Sequence, residues 1–583
     1  MHREQITLSS GKFVNSSYTG TSSNRANPFV ILSPENTCET SGSCIGCNLI
    51  YSGNHYEALE KDSYGKFRFV AGINPRSFSW QLAPGEVFYT PEAVLNFSAD
   101  GFRGLSGQLH SFIREHIVRG VWKHKPRPVL LNSWEACYFK IDEKKLLQLA
   151  KAGKNAGIEL FVMDDGWFLG RNDDTSSLGD WEPDPKKLPG GIASLSKKIK
   201  ELGMDFGIWV EPEMISENSN LYKEHPDWAM KIPGHPHSEG RNQCILDLCN
   251  PEVRKYVIEE MTRVFSSGEI RYVKWDMNRN FSDIYSPYLP AAKQGETAHR
   301  YVLGLYHIMD ELTTRFPEIL FEGCSSGGNR FDLGILNYFP QIWASDNTDA
   351  LCRTGIQNSY SYGYPLSVFT AHVSSCPNHQ TLRITPLETR FQVASFGILG
   401  YECNLKDLSG SELNAIREQI ALYKKWRDLF QFGTFYRGTE NEDSDSETLS
   451  WTCVSPDGRR AVGLFFRRLT TPNQSHDWYR PAGLLPDVKY HFYGRNIKYN
   501  LKDFGDLVNT VSPVHIKQGS ALQEILSRFV NMDGEKEDLT AYGDTLMLAG
   551  IALKPAFAGT GYNSDTRLFP DFSSRMYFME AVE

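Results

Sequence analysis

Between about residues 128 and 430 the sequence repeats one arrangement: a short apolar run, polar residues at its end, and often a stretch of helical periodicity. Eight such runs can be read in order: PVLLNSWEA, ELFVMDDGW, MDFGIWVEPE, YVKWDMNR, ILFEGCSSGG, QIWASDN, PLSVFTAHVSS and ASFGILGYE. Segments such as IDEKKLLQLAKAGKNAG and NPEVRKYVIEEMTRVF alternate with them and place apolar residues on one helical face. Near-continuous apolar strands linked by helices specify a parallel sheet covered on its outer face, and eight units in succession close into a (β/α)8 barrel. Outside this region the periodicity changes. Residues before about 120 alternate short hydrophobic runs such as FRFVAGI with Ser, Asn and Gly turns, with no helix expected ahead of SFIREHIV. After about 440, TLSWTCVS, RAVGLFFRR and KYHFYG again alternate as strands do. The expected chain is therefore multidomain, α/β and β. It has a partial N-terminal β-sandwich with linker over 1–120, a TIM-type barrel over 121–440 and a C-terminal antiparallel β-sandwich over 441–583.

Composition removes several classes of function. The net charge of −9 comes from interspersed signs, so no basic surface for nucleic acid is expected. No run approaches the roughly 18 apolar residues of a membrane span. The 11 Cys form no repeating framework, and MHREQITLSSGKF lacks the apolar core of a secretory signal, which predicts mostly free thiols in the cytoplasm. Cys44 and Cys47 form a CxxC pair near Cys38, but no second pair or nearby His completes a zinc site; they read as loop thiols. No metal or cofactor is expected.

Barrel enzymes carry their catalytic groups at the C-terminal ends of strands. Here those ends hold Trp134, then Asp164 and Asp165, then Trp209, Glu211 and Glu213, then Asp276, then Glu322 and Cys324, then Asp346. In YVKWDMNR the period of two puts Lys274, Asp276 and Asn278 on one face and Val273, Trp275 and Met277 on the other. Cleaving a glycosidic bond needs one ionised and one protonated carboxyl group across it. Asp276 and Asp346 fit, since alternate strands would set them facing each other across the barrel mouth. Lys274 should favour the carboxylate form of Asp276, while Asp346 lacks a cation in its strand and Trp343 offers apolar surface to raise its pKa. Adjacent Asp164 and Asp165 suit acceptors for neighbouring sugar hydroxyls, and Trp faces suit the apolar side of a pyranose. A rival reading of the same strand ends is a metal-dependent barrel with Asp164, Glu213 and Asp276 as ligands.

The strings NSWEA, DDGWF, WVEPEM, HPDW, KWDMNR, GCSSGGNRFD and SDNTDA, in this order, resemble glycoside hydrolase family 36, the bacterial-type α-galactosidases or melibiases. The resemblance covers about 300 residues closely and the flanking β regions more loosely. It implies that Asp276 is the nucleophile and Asp346 the acid/base of a retaining, double-displacement hydrolysis of terminal α-galactose. It also implies that Asp164 and Asp165 hold the 4- and 6-hydroxyls, that Trp134 and Trp209 shape the sugar pocket, and that Arg241 and Lys274 bind ring hydroxyls. Asn278, Cys324 and Gly327 would lie around the 2-position. The implied substrates are oligosaccharides such as melibiose and raffinose. Family members carry a larger β-sandwich ahead of the barrel, which supports homo-oligomers and closes the pocket; with about 120 residues there, weaker assembly is expected. Ser326 stands in GCSSGG where the family string has a third small Gly. Neighbouring readings on the same barrel are an α-N-acetylgalactosaminidase and a galactosyl transferase. A different class is a carbohydrate-binding protein without catalysis.

Overall fold

The computed structural model describes residues 2–238, 240–442, 446–471, 477–510, 512–527, 529–534, 537–555 and 567–582. At its centre eight parallel strands close into a barrel. They are β1 (Leu130–Asn132), β2 (Leu160–Met163), β3 (Asp205–Val210), β4 (Ile270–Trp275), β5 (Leu320–Gly323), β6 (Gln341–Trp343), β7 (Phe369–Ser374) and β8 (Ile398–Glu402). Seven fall within the apolar runs and β4 begins two residues ahead of YVKWDMNR; sequential strands are neighbours all the way round, β8 pairing with β1. Except for Asp205 and Arg271 every residue in these strands is buried, which is why the runs are apolar without alternation.

Local chemistry sets the helix limits. Helix Glu143–Ala156 starts where the Asp142 side chain accepts from Lys145 N–H, and stops at Gly157, whose φ of 99° suits glycine. Leu146, Leu149, Ala150, Gly153 and Ala156 form its buried stripe. Helix Pro251–Ser266 uses the Asn250 side chain as cap and Pro251 at its first position, where the missing N–H costs nothing.

Two three-stranded antiparallel sheets precede the barrel: Gly11–Ser16, His55–Lys61 and Phe67–Ile73 form one, Phe29–Leu32, Cys44–Leu49 and Ala93–Ser98 the other. Helix Gly101–Phe112 follows, ahead of the point where the first helix was expected. Its glycines and serines blur the pattern, yet Phe102, Leu105, Ser106, Leu109 and His110 are buried at helical spacing. This region is tied down by buried polar contacts. Ser22 and Ser52 donate to Asp332 of the barrel, and Arg437 grips Glu39 through two hydrogen bonds of 2.7 and 3.0 Å. The C-terminal region is a six-stranded antiparallel sheet in the order Thr434–Arg437, Thr448–Val454, Arg460–Arg467, Ser573–Ala581, Lys489–Gly494, Asp538–Tyr542, with two small ribbons beside it. Among the described residues no helix is long and apolar enough to cross a membrane.

Between β3 and helix Pro251–Ser266 the chain makes a long excursion over the barrel mouth. It contains a two-stranded antiparallel ribbon, Met214–Ile215 against Cys244–Ile245, too short to leave a periodic signal.

Candidate active site

Asp276 stands one residue beyond β4, and its N–H donates to Val210 O at 2.8 Å, continuing the β3–β4 register. Its carboxylate is surrounded by donors. Oδ2 accepts from Trp209 Nε1 at 3.1 Å and from Asn278 Nδ2 at 2.9 Å; Oδ1 accepts from the N–H groups of Met277 at 2.9 Å and Ser326 at 3.3 Å. Burial alone would raise the pKa of this group. The charge of Lys274 and the hydrogen bonds from Cys324, Asn278 and Trp209 outweigh it and hold Asp276 below the usual carboxylate range. The group is thus kept ionised.

Asp346 lies three residues past β6, and β4 and β6 are alternate strands with β5 between them. Burial, then the neighbouring charge of Asp276, pushes its pKa upward. The expectation for Trp343 is corrected here. Its indole N–H donates to Asp346 Oδ1 at 2.8 Å and so favours the carboxylate, opposing the rise. The ring face is occupied elsewhere, against His372 at 4.3 Å between centroids and Arg353 at 4.9 Å.

The loop after β5 touches both aspartates. Ser326 N–H reaches Asp276, and at Gly327 a Cβ would stand 2.8 Å from Asp346 N, on a backbone with φ of 82°. Only glycine fits this approach. Cys324, buried below the loop, is influenced by both carboxylates.

Lys274 points to a partner other than the one its sequence position suggested. Nζ lies 2.9 Å from Asp164 Oδ2, and that oxygen also accepts from Asn132 Nδ2 at 2.7 Å. Asp276 feels Lys274 through space. Asp165 is held differently, by Arg171 through contacts of 2.8 to 3.2 Å and by Gly166 N–H. Arg241 sits in the long excursion with φ of 51°, its Nη1 3.4 Å from both Asn278 Oδ1 and Ser326 Oγ. Trp134 opens a one-turn helix after β1, its N–H on Asn132 Oδ1 at 2.7 Å and its ring edge-on to Tyr138 and Phe139. Contacts therefore join Asp276, Trp209, Asn278 and Arg241, with Gly327 against Asp346; the Lys274–Asp164 pair acts on Asp276 through the charge of Lys274. Asp165 and Trp134 adjoin through their chain neighbours.

Glu213 was a ligand in the metal-dependent reading. It accepts from Arg330 twice, at 2.9 and 2.7 Å, from Trp275 Nε1 and from Tyr301 Oη, both at 2.8 Å. Four such bonds fill a carboxylate, leaving no position for an ion. Glu211 has a larger part than its placement at a strand end suggested. It accepts from Asn278 N–H and from Gln243 Nε2, and burial together with the charge of Asp276 pushes its pKa up to about 8. The signal was available, since a third-strand end must neighbour a fourth-strand end.

Comparison with known proteins agrees with this arrangement. The Melibiase family model matches residues 87–433, and the N- and C-terminal domain models of glycosyl hydrolase family 36 match 1–83 and 448–579. The chain is 46% identical to the α-galactosidase AgaA of Geobacillus stearothermophilus over 494 residues, 85% of this chain and 68% of that protein. It is 46% identical to α-galactosidase 1 of Pediococcus pentosaceus, covering 84% of this chain and 66% of the relative. The crystal structure of AgaA superposes with a TM-score of 0.87 over 99% of this chain and 72% of that one; a variant of AgaA has been solved in complex with raffinose at the same TM-score. The chain spans about two thirds of the length of these relatives. It belongs to glycosyl hydrolase family 36, among the melibiases whose relatives here are α-galactosidases.

Proposed function

We propose that this protein is a retaining α-galactosidase that releases terminal α-linked galactose from oligosaccharides of the raffinose and melibiose type. The observation that carries the reading is the opposite bias of two carboxyl groups on alternate strands: Asp276 held ionised, Asp346 biased toward its protonated form. In the first step an oxygen of Asp276 attacks the anomeric carbon while Asp346 gives its proton to the departing glycosidic oxygen. The C–O bond to the leaving group breaks as the bond to Asp276 forms. In the second step Asp346, now a carboxylate, takes a proton from water, whose oxygen displaces Asp276 and restores the original anomer. Retaining pairs stand about 5–5.5 Å apart. A close spacing is supported here by adjacent Ser326 and Gly327, one bonded to Asp276 and the other against the Asp346 backbone.

In this reading Lys274 and Asp164 act together, the cation donating to a ring hydroxyl and the carboxylate accepting from one. Asp165, already held by Arg171, presents a fixed acceptor edge. Trp134 and Trp209 wall the pocket, and Arg241, Asn278, Cys324 and Gly327 surround the rest of the ring. We divide the chain at about 120 and 440 into an N-terminal β domain, the catalytic barrel and a C-terminal β domain. The eleven free cysteines support a reducing, cytoplasmic location. Ile45, Leu95 and Phe97, exposed on one N-terminal sheet, support association of copies through that face. The test is a p-nitrophenyl α-galactoside assay with proton NMR of the first product. Release of the α-anomer is expected, and β-galactose appearing first would overturn the nucleophile assignment.

A further inference from the structure

The excursion between β3 and helix Pro251–Ser266 holds a second cluster of side chains that the sugar chemistry does not use. Glu217 lies two residues past the ribbon strand Met214–Ile215, and Cys244 stands opposite Ile215 in the partner strand. His237 meets both. Its Nδ1 is 2.6 Å from Glu217 Oε1 and 3.6 Å from Cys244 Sγ, and the three ligand atoms lie within 4.8 Å of one another. Cys244 and the His237 ring are buried, while Glu217 is exposed. The other ring nitrogen, Nε2, is buried without a hydrogen-bond partner among the described residues, so nothing on that side pins the proton to Nδ1.

We propose that Glu217, His237 and Cys244 form a zinc site that clamps the loop carrying Arg241. Thiolate, imidazole and carboxylate together are the ligand chemistry of zinc, and a three-residue set leaves a fourth position for water. The geometry agrees. Bonds of about 2.3 Å to sulfur and 2.05 Å to nitrogen at a tetrahedral angle put those two atoms about 3.5 Å apart, against the 3.6 Å seen here. The Glu217 oxygen, 2.6 Å from Nδ1, must shift until the two stand about 3.4 Å apart at the same angle, which its exposure allows. Burial pushes the Cys244 thiol up to about 11, with Arg279 beside the sulfur pulling the other way, so it is the charge of the bound metal that would remove the proton. On loading, the Cys244 thiol releases its proton to solvent, the His237 proton passes to Nε2, and one lone pair from each residue enters the metal.

The ligands bracket the loop. His237 and Cys244 flank residues 238–243, within which Arg241 and Asn242 both adopt positive φ. At present that loop is held by Ser238 on Asp283 and by Arg279 on the carbonyls of Ser238 and Gln243. A metal across its two ends would fix Arg241 over Asn278 and Ser326. This consequence rests on the galactosidase reading, whereas the site itself does not.

The test uses the full chain, stripped with a chelator and titrated with cobalt(II) and then zinc. One equivalent of cobalt should produce a thiolate-to-metal charge-transfer band, zinc should abolish it, and zinc should protect Cys244 from alkylation as read by mass spectrometry. Cys244→Ser should lose the band, and Glu217→Ala, a change at an exposed residue, should weaken metal binding at least tenfold. Absence of the band, or its persistence at full strength in both variants, would overturn the site. A loop already ordered spares the substrate that cost, so zinc should lower KM for an aryl galactoside at least about twofold with kcat unchanged. A band with no change in KM would overturn the clamp, and a band in a chain without galactosidase activity would keep the site and reject the enzymatic reading instead.

Discussion

Lys274 reaches past β3 to Asp164 on the far side, 2.9 Å from Nζ to Oδ2, while Asp276, two residues along its own chain, receives its charge through space. One cation thus serves two carboxylates. Lys274→Met should release Asp276 toward its burial-raised pKa, so the acid limb of the kcat/KM profile moves to higher pH. One pKa unit corresponds to about 1.36 kcal/mol, so activity at mildly acid pH should fall by about tenfold or more, and Lys274→Arg should restore the limb while leaving KM raised. An unmoved limb in Lys274→Met would show that hydrogen bonds alone hold Asp276 ionised.

Trp343→Phe gives a shift in the other limb. The indole N–H stabilises the Asp346 carboxylate, and its removal leaves burial and the charge of Asp276 unopposed. A hydrogen bond to a charged group contributes about 1.5–3 kcal/mol, so the alkaline limb should move up by about one to two pH units. The variant should therefore outlast the parent at alkaline pH, as pH-rate profiles would record.

Glu211 titrates at about 8, well above its unfolded value of about 4.3. Because the folded pKa is the higher one, its contribution to stability is full below about 4.3 and is lost as pH rises toward 8. Glu211→Gln cannot ionise and should show a shallower fall of stability across that window. Denaturant titrations at pH 5, 6.5 and 8 measure it; parallel curves for the two proteins would mean that Glu211 is ionised throughout.

The two aspartates after β2 each belong to a buried ion pair, Asp164 with Lys274 and Asp165 with Arg171. Breaking a buried ion pair costs about 3–5 kcal/mol, so Asp165→Asn, which weakens the grip of Arg171, and Asp164→Asn, which weakens that of Lys274, should each lower the thermal midpoint. Asp164→Asn should cut kcat/KM more than tenfold and erode the preference for galactosides over glucosides, whose 4-hydroxyl points elsewhere. An unchanged preference in Asp164→Asn would show that the residue is structural.

Azide distinguishes the catalytic pair by product. Asp276→Gly cannot form the glycosyl-enzyme, so azide in the vacated space should displace an aryl leaving group in one step to β-galactosyl azide. Asp346→Ala should still load with an aryl galactoside and be discharged by azide to the α-azide. The same anomer from both variants would remove the basis for the two roles.

The barrel was readable because each strand is buried along nearly its whole length and several helices carry their own cap, as at Asp142 and Asn250. That Asp276 and Asp346 come near each other was readable because strand order places fourth and sixth ends together. What escaped depended on contacts between segments. The Lys274–Asp164 pair crosses an intervening strand, and no local spacing encodes that reach. Trp343 was read by its ring, whereas its N–H decides its effect on Asp346. The ribbon Met214–Ile215 with Cys244–Ile245 has two residues a side, and helix Gly101–Phe112 hides its stripe among Gly and Ser.

The buried pair Glu39–Arg437 joins residues 398 apart. At a synthesis rate of about 5–20 residues per second, roughly 20 to 80 seconds separate the arrival of the acid from that of its counter-ion. Through that interval Glu39 must stay hydrated, and the groove that will enclose it must stay open. The N-terminal sheets therefore precede their own seat, which is built from chain that has yet to be translated. A nascent chain released before residue 437 would carry an unseated N-terminal region, open to proteases and chaperones, even where its barrel was already closed.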